Sequence, residues 1–405
     1  MTLPAANHPA ASASEVIKLI RELCRPLEAE RVSLANASGR TLREPVRAPE
    51  DQPAFDRSAV DGFAVRMDDT TTRFRIVDEI RAGDWKPRRL QAGEAVRIAT
   101  GGALPDDGLQ VVMREDAERA GEFVSLLRRD QERNIRLRGA DASAGQMLIE
   151  PGVRLQPGTL GLLASVGCAQ PLVTKLPQVL HLATGNEIVP PLETPPHGQI
   201  RDSNSTLVRA FLEQWRIQPT QLRVPEDEVA ARTVLEASAR AAELILISGG
   251  ASVGEHDFTR RLLEHFGFTI HVSGTTARPG KPLIVAQHGN TLAFGLPGNP
   301  LAHFVCLNLY VRAALEGFAG RPTDSVWQTG KLMSELAAGG NARETFWPAH
   351  WQLQAGVAAL TPLRWNSSGD LTALASANAL IRVATGAERL ERNSWVEFVP
   401  TEIVA

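Results

Sequence analysis

Apolar residues recur along this chain in two rhythms. Near the start, Val16, Ile17, Ile20, Leu23 and Cys24 return at three- and four-residue spacing, which predicts an amphipathic helix. Ser12 with Glu15 forms a capping box at its entrance and Pro26 ends it. A short strand at 31–34 and a helical turn before Pro45 follow. From about 46 to 139 the rhythm shortens. Runs at 46–48, 62–66, 74–80, 95–98, 111–114 and 123–127, separated by Gly, Pro and Asp, predict a small β domain. Residues 158–166 read as a Leu-rich helix packing back on 27–45.

From Pro177 strands and helices alternate. Strands are expected at 179–183, 220–224, 243–247 and 268–272. Helices are expected over 204–215, 228–242, 258–266 and 301–315, with a 283–287/291–295 hairpin turning at His288-Gly289-Asn290. Such alternation implies a largely parallel sheet covered on both faces. Beyond a linker at Arg321-Pro322, runs at 328–332, 344–347, 357–362, 379–383 and 395–399 predict a small barrel or sandwich. Trp347, Trp351, Trp365 and Trp395 are expected to form its core.

The polar, Gly-rich segments 184–187, 225–228, 248–257, 276–282 and 296–300 all follow strands. Strand carboxyl ends of a parallel sheet share one edge, where ligands bind. The stretch 248–257, Ser-Gly-Gly-Ala-Ser-Val-Gly-Glu-His-Asp, lies between a buried strand and a helix start. Free backbone N–H groups and the positive helix end make such a turn an anion site. Together these segments imply one ligand site of anionic and metal-binding character. Arg136 and Arg138, close to Asp141, either grip phosphate or pair with that acid. Asp227 and Asp257 either cap their helices or hold a cation.

Composition narrows the partners. With 43 basic against 46 acidic residues the charge is nearly balanced, which points away from nucleic acid. No apolar run reaches membrane-spanning length and the first residues lack a signal-peptide pattern, so a cytoplasmic protein is expected. The three cysteines have no metal-ligand or disulfide spacing.

Taken in order, Asp-Arg-Ser-Ala-Val-Asp-Gly-Phe-Ala-Val (56–65), Ala-Thr-Gly (99–101), Ile-Arg-Leu-Arg-Gly-Ala-Asp (135–141), Thr-Gly-Asn-Glu (184–187), Ser-Gly-Gly-Ala-Ser-Val-Gly (248–254), Arg-Pro-Gly-Lys-Pro (278–282) and Leu-Pro-Gly-Asn-Pro (296–300) resemble the molybdopterin molybdenumtransferase family, which includes the bacterial MoeA proteins and the E domain of gephyrin. The resemblance runs over nearly the whole chain. It implies a multidomain α/β and β homodimer. Residues 1–26 and 175–322 would form a three-layer α/β domain with a parallel-rich sheet, and 27–45 with 140–174 a linking dimer domain. An inserted β domain at 46–139 and a C-terminal β-barrel at 325–405 would complete it.

The implied reaction inserts molybdate into adenylylated molybdopterin, uses Mg2+ and releases AMP. The motif match gives Asp227 and Asp257 the Mg2+ and puts Glu187 on the same rim. Ser248, Gly249, Gly250 and Ser252 would receive the pterin phosphate or anhydride. Lys281, Arg278, Arg343 and Ser368 match or approximate the molybdate side, and Pro297 and Asn299 belong to the implied cofactor-binding set. Asp61, Thr100, Arg136 and Asp141 match positions brought in from the other subunit. The upstream adenylyltransferase and molybdoenzyme chaperones are the implied protein partners.

The sequence also departs from the family. Arg278 replaces the first lysine of Lys-Pro-Gly-Lys, Ala302 replaces a serine, Asn186 an aspartate and Arg201 a tyrosine. Guanidinium keeps the charge but changes donor geometry. Arg278 and Ala302 motivate an alternative: a paralogue that binds molybdopterin or nucleotide as a carrier without inserting metal.

Overall fold

The computed structural model describes residues 11–129, 131–225, 227–238, 242–249, 255–321 and 326–402; at 237–238 and 255–257 it describes the backbone alone. The chain divides into two compact units, one of residues 44–151 and 161–169 and the other of the remainder.

In the larger unit the capping box forms as expected: Glu15 N–H donates to Ser12 Oγ (3.3 Å) and Ser12 N–H to Glu15 Oε2 (2.8 Å). The helix Ala13–Leu23 buries Val16, Ile17 and Ile20. The short strand lies at Ala29–Arg31, earlier than its apolar residues suggest. It pairs antiparallel with Leu172–Thr174, and Leu42 bridges Val173. Pairing with a segment remote in sequence, not local pattern, fixes its position.

The central sheet has six strands in the order Thr220–Val224, Val179–Thr184, Leu244–Ser248, Thr291–Leu296, Ile284–His288, Thr269–Ser273. Neighbours among the first four are parallel. Ile284–His288 alone runs against the rest, as the hairpin requires. Val179–Thr184 and Leu244–Ser248 are buried along their whole length, because helices cover both faces. One face carries Leu180, Leu182, Ile245, Ile247 and the helix residues Leu262 and Leu263; the other carries Leu244, Leu246, Phe294 and the segment Leu307–Leu315. The expected 301–315 helix is observed as Pro300–Cys306, a π-helical Leu307–Val311, and Arg312–Phe318.

The C-terminal strands Gln328–Leu332, Val357–Pro362, Thr345–Gln354, Ala379–Val383 and Trp395–Pro400 close into a barrel in that order. Its core is aliphatic with Phe398, not built on four tryptophans. Trp347 and Trp351 pack against it, but Trp395 is 63% exposed. Trp395 alternates with the buried Val396 and Phe398, so the period of two turns it outward.

In the smaller unit a six-stranded sheet runs Leu109–Met113, Gly62–Arg66, Glu94–Ile98, Arg73–Ile80, Phe123–Leu126, Ala117–Ala120. The last strand, Ala-Glu-Arg-Ala, is too polar to announce itself and forms by pairing with its neighbour.

Candidate functional site

Register explains how the strand-end turns meet. Ala183 and Leu296 both stand opposite Ser248, and Thr184 stands opposite Val224. The residues that follow these strands therefore leave the sheet side by side. Gly249, at φ +94°, lies so close to Thr184 that a Cβ there would collide with the Thr184 carbonyl oxygen, and a Cβ on Gly298 would come within 3.8 Å of Gly249 Cα. Close backbone approach is what glycine permits at this crossing.

The turns open on a cleft of about 510 Å³ shared with the C-terminal barrel. Glu187, Gly249, Arg278, Lys281, Pro297, Asn299, Arg343 and Ser368 all line it. Arg278, Lys281 and Arg343 face one carboxylate, Glu187, so the cleft's described lining is net cationic. The 276–282 loop is held rigidly. Arg278 N–H donates to the Glu344 carbonyl and Phe346 N–H to the Arg278 carbonyl, both at 2.8 Å, which extends barrel pairing onto the loop. Arg343 Nη1 donates to the Ala277 carbonyl at 3.4 Å. Ser368 organises the other wall. Its carbonyl accepts from Leu301 N–H at 3.0 Å, capping the helix Pro300–Cys306, and its hydroxyl accepts from Asn299 Nδ2 at 2.8 Å.

Trp365 is the cleft residue that sequence reasoning assigned elsewhere. The Arg278 guanidinium lies 5.2 Å from its ring centroid, so the indole is a wall of the cleft and positions the arginine. Its place beside the 367–370 turn, outside any alternating strand, was the available signal.

The other residues fall elsewhere. Asp227 caps the helix Glu228–Ser238, with Oδ1 accepting from Ala230 N–H at 2.7 Å, and does not line the cleft. It follows the edge strand Thr220–Val224, five strand positions from Thr269–Ser273, or about 24 Å across the sheet. Gly250, Ser252 and the Asp257 side chain lie outside the described residues. In the smaller unit Asp61 Oδ1 accepts from Thr100 N–H (2.7 Å) and Oγ1 (3.0 Å), which holds its pKa below the usual carboxylate range. Arg136 pairs with Asp141, and Arg138 with Asp51 at 2.8 Å.

Beneath the rim sits a neutral histidine network. Gln221 Nε2 donates to the Ser205 carbonyl (2.8 Å), which orients its amide, and to His181 Nδ1 (3.0 Å). His181 therefore carries its proton on Nε2 and donates it to Ser248 Oγ at 2.6 Å. That tautomer anchors the serine and gives it no base. His303 Nδ1 donates to the Pro297 carbonyl at 3.1 Å, tying the other turn down.

Burial lowers the His181 pKa to about 3, with the His303 charge adding to it, and lowers His303 to about 4 by burial. An unfolded histidine titrates near 6.5. The unfolded chain thus binds more protons than the folded one between these values. Stability contributed by the neutral pair is complete above about pH 6.5 and is lost as pH falls toward the folded pKa values. The expected slope is about 1.4 kcal/mol per pH unit per histidine. Urea midpoints from pH 7 to 5 check it; a slope unaltered in H303Q would refute the role of His303.

Comparison with known proteins gives three profile matches: the MoeA N-terminal region (domains I and II) over residues 11–167, a probable molybdopterin binding domain over 181–317, and the MoeA C-terminal region (domain IV) over 329–401. The molybdopterin molybdenumtransferase of Bacillus subtilis is 32% identical over 400 residues, covering 95% of this chain and 93% of that protein. That of Nostoc is 32% identical, covering 93% and 89%. Among solved structures, the molybdopterin biosynthesis MoeA protein of Pyrococcus horikoshii superposes with a TM-score of 0.79 at 26% identity, covering 97% of this chain and 100% of that one.

Proposed function

The chain belongs to the molybdopterin molybdenumtransferase family, MoeA, and on that premise we propose that it inserts molybdate into adenylylated molybdopterin with release of AMP. Its place is molybdenum cofactor biosynthesis. The observation that carries the finer reading is the cationic cleft, where Arg278, Lys281 and Arg343 meet the strand-end turns. Attack by an oxyanion on a phosphoric anhydride concentrates negative charge. Fixed cations and oriented N–H groups stabilise that charge without reorganising during reaction.

In this reading molybdate enters between Arg278, Lys281, Arg343 and Ser368. The pterin phosphates lie along the rim toward Ser248 and Gly249. An extended nucleotide-linked substrate suits a rim whose polar residues span the sheet, with Asp227 at its far edge. Mg2+, when bound, would neutralise anhydride charge, and Asp227 and Asp257 are the residues proposed to hold it. The described residues contain no group of three potential ligands. Two carboxylates still fit this ion, which keeps several waters and takes substrate phosphate oxygens. Asp227 has acceptor capacity beyond its capping bond. We place Asp61, Thr100, Arg136 and Asp141 in the cleft of a twin subunit within a homodimer of four-domain chains.

The test is direct: purified protein given Mg2+, molybdate and adenylylated molybdopterin is expected to release AMP and form active cofactor. Absence of both would reject the proposal. Arg278 and Ala302 favour a second reading, a carrier that binds without inserting metal. Ala302 presents no hydroxyl to the cleft and Arg278 is committed to Trp365. That reading expects R278K/A302S to gain molybdate-dependent turnover that the parent lacks; equal turnover in both would defeat it.

A further inference from the structure

Away from the cleft, a second cavity of about 260 Å³ opens between the turn at 38–41, the chain at 174–177 and the end of the helix Asn204–Glu213. Arg40, Arg154, Lys175, Arg216 and Arg321 line it, and no Asp or Glu is among its described lining residues. Two of these cations are balanced from outside the cavity. Arg40 pairs with Glu30 at 2.5 Å and also donates to the Thr174 carbonyl; Lys175 pairs with Glu28 at 2.8 Å.

Arg154 and Arg321 are different. Arg321 spends Nε on Thr41 Oγ1 (3.2 Å) and Nη2 on the Gly39 carbonyl (2.7 Å), both neutral acceptors, and lies 5.3 Å from the Trp215 ring centroid. Arg154 has no carboxylate partner among the described residues. Its Nε and the Trp215 indole Nε1 are buried N–H groups with no acceptor. Both groups donate only, so neither can satisfy the other. Burial and the Arg154 charge bring the Arg321 pKa down to about 10, against the opposing influence of Glu316. Glu316 is itself held by Arg312 at 3.2 Å.

Buried donors without acceptors are rare in folded proteins and call for an unseen partner. An anion would supply the missing acceptors and relieve the repulsion between the two guanidinium groups. Guanidinium forks match a tetrahedral oxyanion better than a spherical halide, because each offers parallel N–H bonds. We propose that this cavity is a second, non-catalytic binding site for a tetrahedral oxyanion of the phosphate class. It is held by Arg154, Arg321 and the Trp215 indole N–H. The cavity is larger than a water-sized space, so the phosphate belongs either to the free ion or to a monoester.

The 405-residue chain labelled with 15N-tryptophan tests this. The Trp215 indole resonance is identified by its loss in W215F, and inorganic phosphate is titrated with ionic strength held constant by sodium chloride. The resonance is expected to move and saturate. R154Q is expected to need at least about tenfold more phosphate, whereas K281M titrates as the parent does, which separates this site from the cleft. A parallel titration with AMP distinguishes a monoester ligand, which binds more tightly than phosphate, from the free ion, which does not. A static Trp215 resonance in the parent, the same movement with chloride, or an unchanged midpoint in R154Q overturns the proposal. If R154Q does not fold, thermal melts decide. Phosphate is expected to raise the Tm of the parent more than that of W215F, and equal shifts overturn the site.

Discussion

Replacing Lys281 by Met is expected to lower AMP-releasing turnover by about two to three orders of magnitude, the usual cost of removing one fixed charge or donor from a site of developing negative charge. The protein should stay folded. Lys281 is exposed, and no salt bridge to it exists among the described residues, so its removal deletes neither core packing nor an ion pair. The loop that carries it is fixed by backbone bonds: Thr275 N–H to the Lys281 carbonyl at 2.9 Å and Arg278 to the barrel. The substitution therefore tests charge without disturbing the scaffold. Single-turnover rates and thermal melts on the same sample check it. If turnover survives within about threefold, Lys281 is not part of the chemistry.

Gly249→Ala is expected to act through the backbone and to be the more damaging change. The position combines φ +94° with a Cβ path blocked by the Thr184 carbonyl oxygen and by Thr184 Oγ1 at 2.9 Å. An L-residue held in this region costs on the order of 1–3 kcal/mol before any clash is counted. Relief of the clash must move either the end of Val179–Thr184 or the turn after Leu244–Ser248. Both strands are central and fully buried. A destabilisation of about 3–5 kcal/mol is the expectation, read as a lowered denaturation midpoint with unchanged slope. Activity measured well below the new midpoint should fall as well, because the turn beside Gly298 and Ser248 shifts. A variant as stable as the parent would show that the crossing is looser than the geometry implies.

Much of this was legible from residues alone. Period-two and period-3.6 patterns located most of the strands of the central sheet and barrel within a residue or two, because buried strands on both sides of a sheet must be apolar and their turns must not be. The strand-end rule places the Gly-rich segments on one rim from sequence alone, since chain direction dictates which edge a parallel strand's exit turn occupies. Elements held by partners, not by their own pattern, escaped. Ala29–Arg31 and the polar Ala117–Ala120 are strands only because a neighbour offers them hydrogen bonds. The tryptophans misled because bulk suggests core. Whether an indole is buried depends on strand phase at Trp395 and on a cationic neighbour at Trp365.

The sequence by itself determined the alternation of strands and helices, the glycine-bearing turns at strand ends, the all-β C-terminal region and the family. These depend on local periodicity and on residue types that tolerate few backbone shapes. Only the tertiary structure decided which polar residues share a hollow. It brought Arg278, Lys281, Arg343 and Ser368 together across two layers, and it left Asp227 at the far edge capping its own helix. It also enclosed Arg154 and Arg321 in a cavity that no motif marks. Such distances are set by sheet order and by the packing of segments remote in sequence, and neither is written in any single stretch of the chain.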